Sequence, residues 1–177
     1  MGRLAARLRA GHAWRAALDG YSGAMDIDLR EATSAESAFV FDVLREAIGP
    51  YVELAWGWDD ARELERHRER WGRQRVRVIV ADGTDAGYVS TAVYEQPTDA
   101  YPSGLYLHQL MILPRFQSHG IGSACLRRVQ AEARELGRPL QLRVLRVNPR
   151  ALAFYLAAGC RIVGESDSHI SLRWSVM

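Results

Sequence analysis

The sequence predicts a mixed α/β (α+β) domain. Stretches with the two-residue period of strands alternate with stretches of helical period. They run strand, two helices, three strands, helix, strand, helix and two strands, which implies a mixed sheet. No internal repeat or low-complexity segment interrupts that order.

The patterned sequence begins at Met25. MDIDLREAT alternates as a strand does and ends in Thr33 and Ser34, residues that cap a helix opening near Ala35. Over 35–48 helical spacing places Phe39, Val43 and Ala47 on one face, and Gly49 and Pro50 are expected to stop the helix. YVELAWGWDD then reads as an aromatic, acidic connection. Asp59 opens a charged helix to about Trp71, whose alternating acids and arginines suit a solvated element. VRVIVADGTDAGYVSTAVY holds two β-branched runs about a DGTDAG turn, a hairpin signal. Polar EQPTDAYPSG leads into LYLHQLMILP, a long apolar strand ended by Pro114. Next, Ile121, Cys125, Val129, Ala133 and Leu136 recur at helical spacing as far as Gly137. LQLRVLRV is a further strand, NPRALAFYLAAG a short helix with Pro149 in its first turn, and CRIVGE with HISLRW a terminal strand pair.

With 177 residues, 48% hydrophobic and 25% charged, the chain is long enough for one domain with its own core. We expect a single domain over 25–177 and a poorly ordered, arginine-rich extension over 1–24. The net charge of +2 and the acids mixed among the arginines argue against a nucleic-acid partner, and no apolar run suggests a membrane span. All 23 basic residues are arginine, which excludes lysine-based covalent catalysis. Cys125 and Cys160 stand apart, without metal-ligand spacing. Neither a zinc site nor a disulfide framework is expected, no metal is called for, and a reducing cytoplasm is the simpler location.

The motif with most chemical content is RFQSHGIGSACLRRVQ, where Gly120 and Gly122 fall between a strand and a helix. Unpaired amides and the helix dipole make such a junction an anion site, suited to phosphate or pyrophosphate. It lacks the GK[ST] of a P-loop, the third small residue of a dinucleotide fingerprint and the acid ending the next strand. By itself, the pair of glycines is equally a structural turn.

Gln117 to Gly122 resembles the Q/R-x-x-G-x-G/A signature of the GCN5-related N-acetyltransferase (GNAT) family. LMILP before it is similar to the family's fourth strand, and NPRALAFYLAAG after it to the N-x-x-A-x-x-x-Y-x-x-x-G element. The resemblance spans roughly residues 25 to 175. One departure is Cys160, where the family usually has a bulky aromatic.

The resemblance implies a mostly antiparallel sheet of about six to seven strands with a splayed central pair and about four helices. It also implies acetyl-CoA as acyl donor. The amides of Gln117, Ser118, His119, Gly120, Ile121, Gly122 and Ser123 would hold the pyrophosphate. Leu110, Met111 and Ile112 would pair with the pantetheine arm, the Leu110 amide serving as oxyanion donor, and Asn148 would contact the arm. Tyr155 would protonate the leaving thiolate; its ordinary pKa near 10, against about 8.5 for a thiol, is expected to favour that transfer. Some relatives that acetylate arylalkylamines use a histidine where His108 stands, and period-2 geometry puts His108 on the face of Leu110. Imidazole titrates close to neutral pH, as a base for the amine should. Glu53 is the rival base. Arg115, Arg127, Arg128 and Arg150 are candidates for the CoA 3′-phosphate.

Family members place the acceptor near the first two helices. Here Tyr51, Trp56 and Trp58 offer an aromatic wall, and Glu53, Asp59 and Asp60 offer charge for an ammonium group. The expected activity is therefore acetyl transfer by direct attack of a primary amine, on a small amine or amino-acid-like acceptor. The alternatives are acetylation of protein lysines or N-termini, and a CoA-binding module without turnover. A homodimer is compatible with either use.

Overall fold

Among the described residues seven strands form one sheet in the order β1-β2-β3-β4-β5-β7-β6. They are β1 (Ile27–Glu31), β2 (Arg75–Ala81), β3 (Thr84–Tyr94), β4 (Gly104–Ile112), β5 (Leu140–Leu145), β6 (Arg161–Glu165) and β7 (His169–Trp174). Among the described residues four α-helices flank the sheet: α1 (Ser37–Trp56), α2 (Asp60–Arg70), α3 (Ile121–Glu135) and α4 (Pro149–Ala157). The computed structural model describes residues 25–175, so the extension expected over 1–24 lies outside the described residues. Neighbouring strands are antiparallel except β4 and β5. No helix of the described residues is long and apolar enough to cross a membrane.

The hairpin turn is shorter than DGTDAG. Only Asp82 and Gly83, both at positive φ, separate β2 from β3, and Thr84 onward already belongs to the strand. The core joins Ile79, Tyr88, Val89 and Leu107 of the sheet to the buried stripe Ile121, Cys125, Val129 and Ala133 of α3. Leu136, expected on that stripe, lies past the helix end and is exposed. Buried Arg77 of β2 forks onto the Glu132 carboxylate of α3, tying the helix across the sheet.

The main departure from the sequence reading is α1. It does not stop at Gly49 and Pro50 but runs on to Trp56, so YVELAW is helical rather than a connection. Pro50 deletes one amide donor, yet its ring lies on the exposed side. Gly49 and Val52 are buried, continuing the face that Val40, Val43 and Leu44 begin. Burial of that face outweighs the lost hydrogen bond. Glu53, Trp56 and Trp58 thereby acquire fixed positions. Asp59 caps α2 through Arg62 N at 2.8 Å, as its position implied.

Candidate active site

The cavity opens at a split between β4 and β5. They pair only at Leu105, Tyr106 and Leu107 opposite Leu140, Gln141 and Leu142, although β4 runs on to Ile112 and β5 to Leu145. The cause lies on the other edge of β4. Ser90 faces Gln109 and Thr91 faces Leu107, so His108 is one residue too many, a β-bulge. Leu105 donates its amide to Pro139 O at 3.0 Å, toward β5, whereas Leu113 donates to Ala86 O at 2.9 Å, toward β3. Counting back from Leu113 by the alternation of an antiparallel ladder, the backbones of Ile112 and Leu110 turn away from β3 into the split. The Ile112 carbonyl does receive Gln117 Nε2 there, at 2.8 Å. The Leu110 peptide faces the gap beyond the last β5 pair, where the oxyanion donor was expected. Met111, by the same count, directs its backbone to β3 and contributes only its side chain to the cavity wall.

The split opens a cavity of about 990 Å³. At one end stands the N-terminus of α3, where the amides of Ile121, Gly122 and Ser123 precede the first intrahelical acceptor position. The two glycines are there for different reasons. Gly120 caps the helix at φ 80°, a left-handed conformation that side chains resist, and has open space around it. A Cβ on Gly122 would instead stand 3.4 Å from both Ile112 and Phe154. Arg150 braces the loop, donating to Gln117 Oε1 at 3.1 Å and Ser118 Oγ at 3.0 Å. Ser118, Gly120, Gly122 and Ser123 line the cavity. Ile121 is anchored in the core, while His119 is exposed and outside the lining. Of the arginines weighed for the 3′-phosphate, Arg150 alone lines the cavity. Arg128 turns to Asp28 and Ile27 O on β1, and Arg115 lies over the Phe116 ring.

Tyr155 reaches the cavity from α4, which Asn148 caps by accepting from Ala151 N at 3.0 Å. The Asn148 carbonyl oxygen is thus engaged at the helix end. Burial, reinforced by Cys160, pushes the Tyr155 phenol well above its ordinary range. This reverses the expected thermodynamics of proton transfer. A phenol near pKa 10 is already a weaker acid than a thiol near 8.5, so full donation to a free thiolate is uphill by about 2 kcal/mol, and burial steepens it. The chemistry open to Tyr155 is a hydrogen bond that strengthens as charge grows on sulfur.

His108 differs from the neutral-pH base the sequence suggested. Because it occupies the bulge, period-2 counting from Leu110 does not orient it. Its ring packs on Tyr106 and Tyr101, with centroids 4.7 and 4.9 Å away, and its Nε2 lies 3.2 Å from Tyr94 Oη. Burial, with the charges of Arg70 and Arg143, lowers its pKa to about 4. The imidazole is therefore neutral at pH 7 and a weak base. Stability depends on pH accordingly. Above about 6.5 neither folded nor unfolded chain holds this proton. As pH falls from there toward 4, the unfolded chain takes up a proton that the folded one refuses. Unfolding free energy should fall by up to roughly 3 kcal/mol over that window through His108. Denaturant titrations between pH 7 and 4 should show a shallower decline in His108→Gln, and an identical decline would refute the assignment.

The other end of the cavity is built by α1, α2 and the turn before β7. Tyr51, Trp56 and Trp58 line it, Trp56 against the His169 ring at 5.8 Å. Glu53 does not. Exposed and outside the lining, its carboxylate accepts from Trp58 N at 2.6 Å, because the longer α1 turns that residue toward its own C-terminal loop. Asp59 and Asp60 are likewise engaged by Arg62 N and Trp58 Nε1. Arg62, Glu63, Arg66 and Arg70, read as a solvated helix face, line the cavity together with Ser168 and His169. Their spacing, with Arg62, Arg66 and Arg70 four residues apart, was the signal for a shared face.

The Acetyltransferase (GNAT) family model matches residues 41–160. No curated protein matches the sequence. Among solved structures, an acetyltransferase from Thermus thermophilus is 22% identical over 86% of this chain and 99% of its own, with a TM-score of 0.66. The PaiA N-acetyltransferase of Thermoplasma acidophilum, in complex with coenzyme A, is 16% identical over 86% of this chain and all of its own, with a TM-score of 0.61. YncA of Salmonella typhimurium, with its cofactor acetyl-CoA, is 19% identical over 86% and 94%, with a TM-score of 0.57.

Proposed function

This chain belongs to the acetyltransferase (GNAT) family of acyltransferases, and on that premise we propose that it moves the acetyl group of acetyl-CoA to a primary amine by direct attack. The observation that carries the reading is the Leu110 peptide, registered against Val89 of β3 but, past the bulge at His108, left without a partner on β5. Acetyl-CoA supplies the activated acyl group. The pyrophosphate rests on the amides opening α3, with the loop held by Arg150 and Gln117, and the pantetheine arm runs along Leu110 and Ile112 toward the bulge. The Leu110 amide donates to the acetyl oxygen as negative charge grows there. The amine nitrogen bonds to the carbonyl carbon, the C–S bond breaks, and the departing sulfur is held by the Tyr155 hydroxyl. Neutral His108 stands ready to accept from the nitrogen only once C–N bonding has made its proton acidic. Glu53 has no part in this scheme.

The test is thiol release from acetyl-CoA across a panel of small amines. Acceptor-dependent release with matching acetylated product is the expected result. Tight CoA binding with no release for any amine would leave a binding module instead.

A further inference from the structure

We propose that the acceptor carries a carboxylate beside its amine, and that Arg70 is the residue that recognises it. This rests on the acetyltransferase reading and names the substrate class for the same cavity.

The acceptor end is unbalanced in charge. Arg62, Arg66, Arg70 and Arg143 line it, against a single acid, Glu63. Glu63 is already engaged by Arg66 at 2.9 Å and Arg62 at 3.5 Å. Arg143 is fixed as well: its Nε donates to Tyr106 Oη at 2.9 Å, one terminal nitrogen donates to Ala100 O at 2.6 Å, and its guanidinium lies over the Tyr101 ring. Arg70 is different. Among the described residues its guanidinium has no hydrogen bond or ion pair, yet its charge is felt at His108, where the amine must attack.

A planar fork of donors facing a cavity fits a carboxylate in two-point geometry. A simple alkylammonium would meet mostly like charge, since Glu63 is already paired with two arginines and the acids expected to attract it are engaged by Trp58 and Arg62 N. The same field favours the reaction. Cations nearby lower the pKa of the acceptor's ammonium group and enlarge the free-amine fraction, which relieves the weakly basic His108 of that step. The CoA phosphates do not account for Arg70, because their end of the cavity has Arg150 and the α3 amides.

The experiment compares amino acids, each beside its carboxamide and its decarboxylated amine, as acceptors with acetyl-CoA for the native protein and Arg70→Gln. Arg70 is exposed at the end of α2, so the variant should fold. Binding of the same compounds in the presence of CoA is followed by calorimetry. We expect kcat/KM to favour the amino acids by about tenfold or more, and Arg70→Gln to raise their KM by a similar factor while the KM of acetyl-CoA stays put. Equal or better turnover of the uncharged partners would overturn this inference and leave the acetyltransferase reading standing. A rise in the KM of acetyl-CoA instead would reassign Arg70 to the donor and also overturn it. If nothing turned over, Arg70-dependent binding of amino acids would uphold the inference while the transferase reading fell; absence of that binding would end both.

Discussion

Replacing Tyr155 by phenylalanine is expected to lower kcat by about a hundredfold, with the KM of acetyl-CoA changed by less than about twofold. The substitution removes one oxygen at the cavity wall and leaves the packing of α4 intact. Among the described residues the hydroxyl has no hydrogen-bonding partner, so no buried group loses one. Thermal unfolding should consequently be unaltered, which separates a chemical loss from a structural one. Because burial lifts the phenol far from neutrality, its titration should leave no limb in the native pH-rate profile below about 10. Thiol release at saturating acetyl-CoA measures the effect, and an unchanged kcat would remove Tyr155 from the reaction.

Gly87→Ala should be the most damaging small substitution in the sheet. Gly87 of β3 faces Ile112, and a Cβ built there would stand 2.1 Å from Met111 O and 2.9 Å from Ile112 Cα. Both are backbone atoms and cannot swing aside. Relief requires β4 to move away from β3 at the stretch that presents Leu110 and Ile112 to the split. We expect a loss of about 3 kcal/mol and a fall in Tm of roughly 10 °C, together with most of the activity. Calorimetry on the purified variant checks this, and a Tm within about 2 °C of the native protein would contradict the account.

The features that sequence revealed are those that local chemistry decides. Asp59 and Asn148 cap helices because a short acceptor side chain before a helix meets free amides wherever it occurs. The stripe from Ile121 to Ala133 has one period and one face to bury. What remained hidden depends on partners distant in the chain. Helix α1 passes Pro50 because Val52 and Gly49 have something to pack against, and no local rule announces that. Arg62, Arg66 and Arg70 share a helix face by their numbers alone, but whether that face meets solvent or a cavity is set by β4. The histidine at 108 was visible; the ring of Tyr94, Tyr101 and Tyr106 that desolvates it is assembled by two strands and the loop between them. His169 enters from β7, two strands away from β4 and at the far end of the chain. The bulge leaves no clear mark on hydrophobic alternation, since Leu105, Leu107 and Met111 at odd positions and Leu110 and Ile112 at even ones put apolar residues on both phases of β4.

The three residue pairs between β4 and β5 have a mechanical meaning. Among the described residues they are the only strand pairing that joins a four-stranded leaf, β1 to β4, to a three-stranded leaf, β5 to β7. Beyond so short a seam no ladder of hydrogen bonds sets the gap, and the leaves are held instead by α3, which packs on both β4 and β5. One extra residue in β4 thus marks the line at which the two leaves part, and with it the place where the walls of the cavity begin.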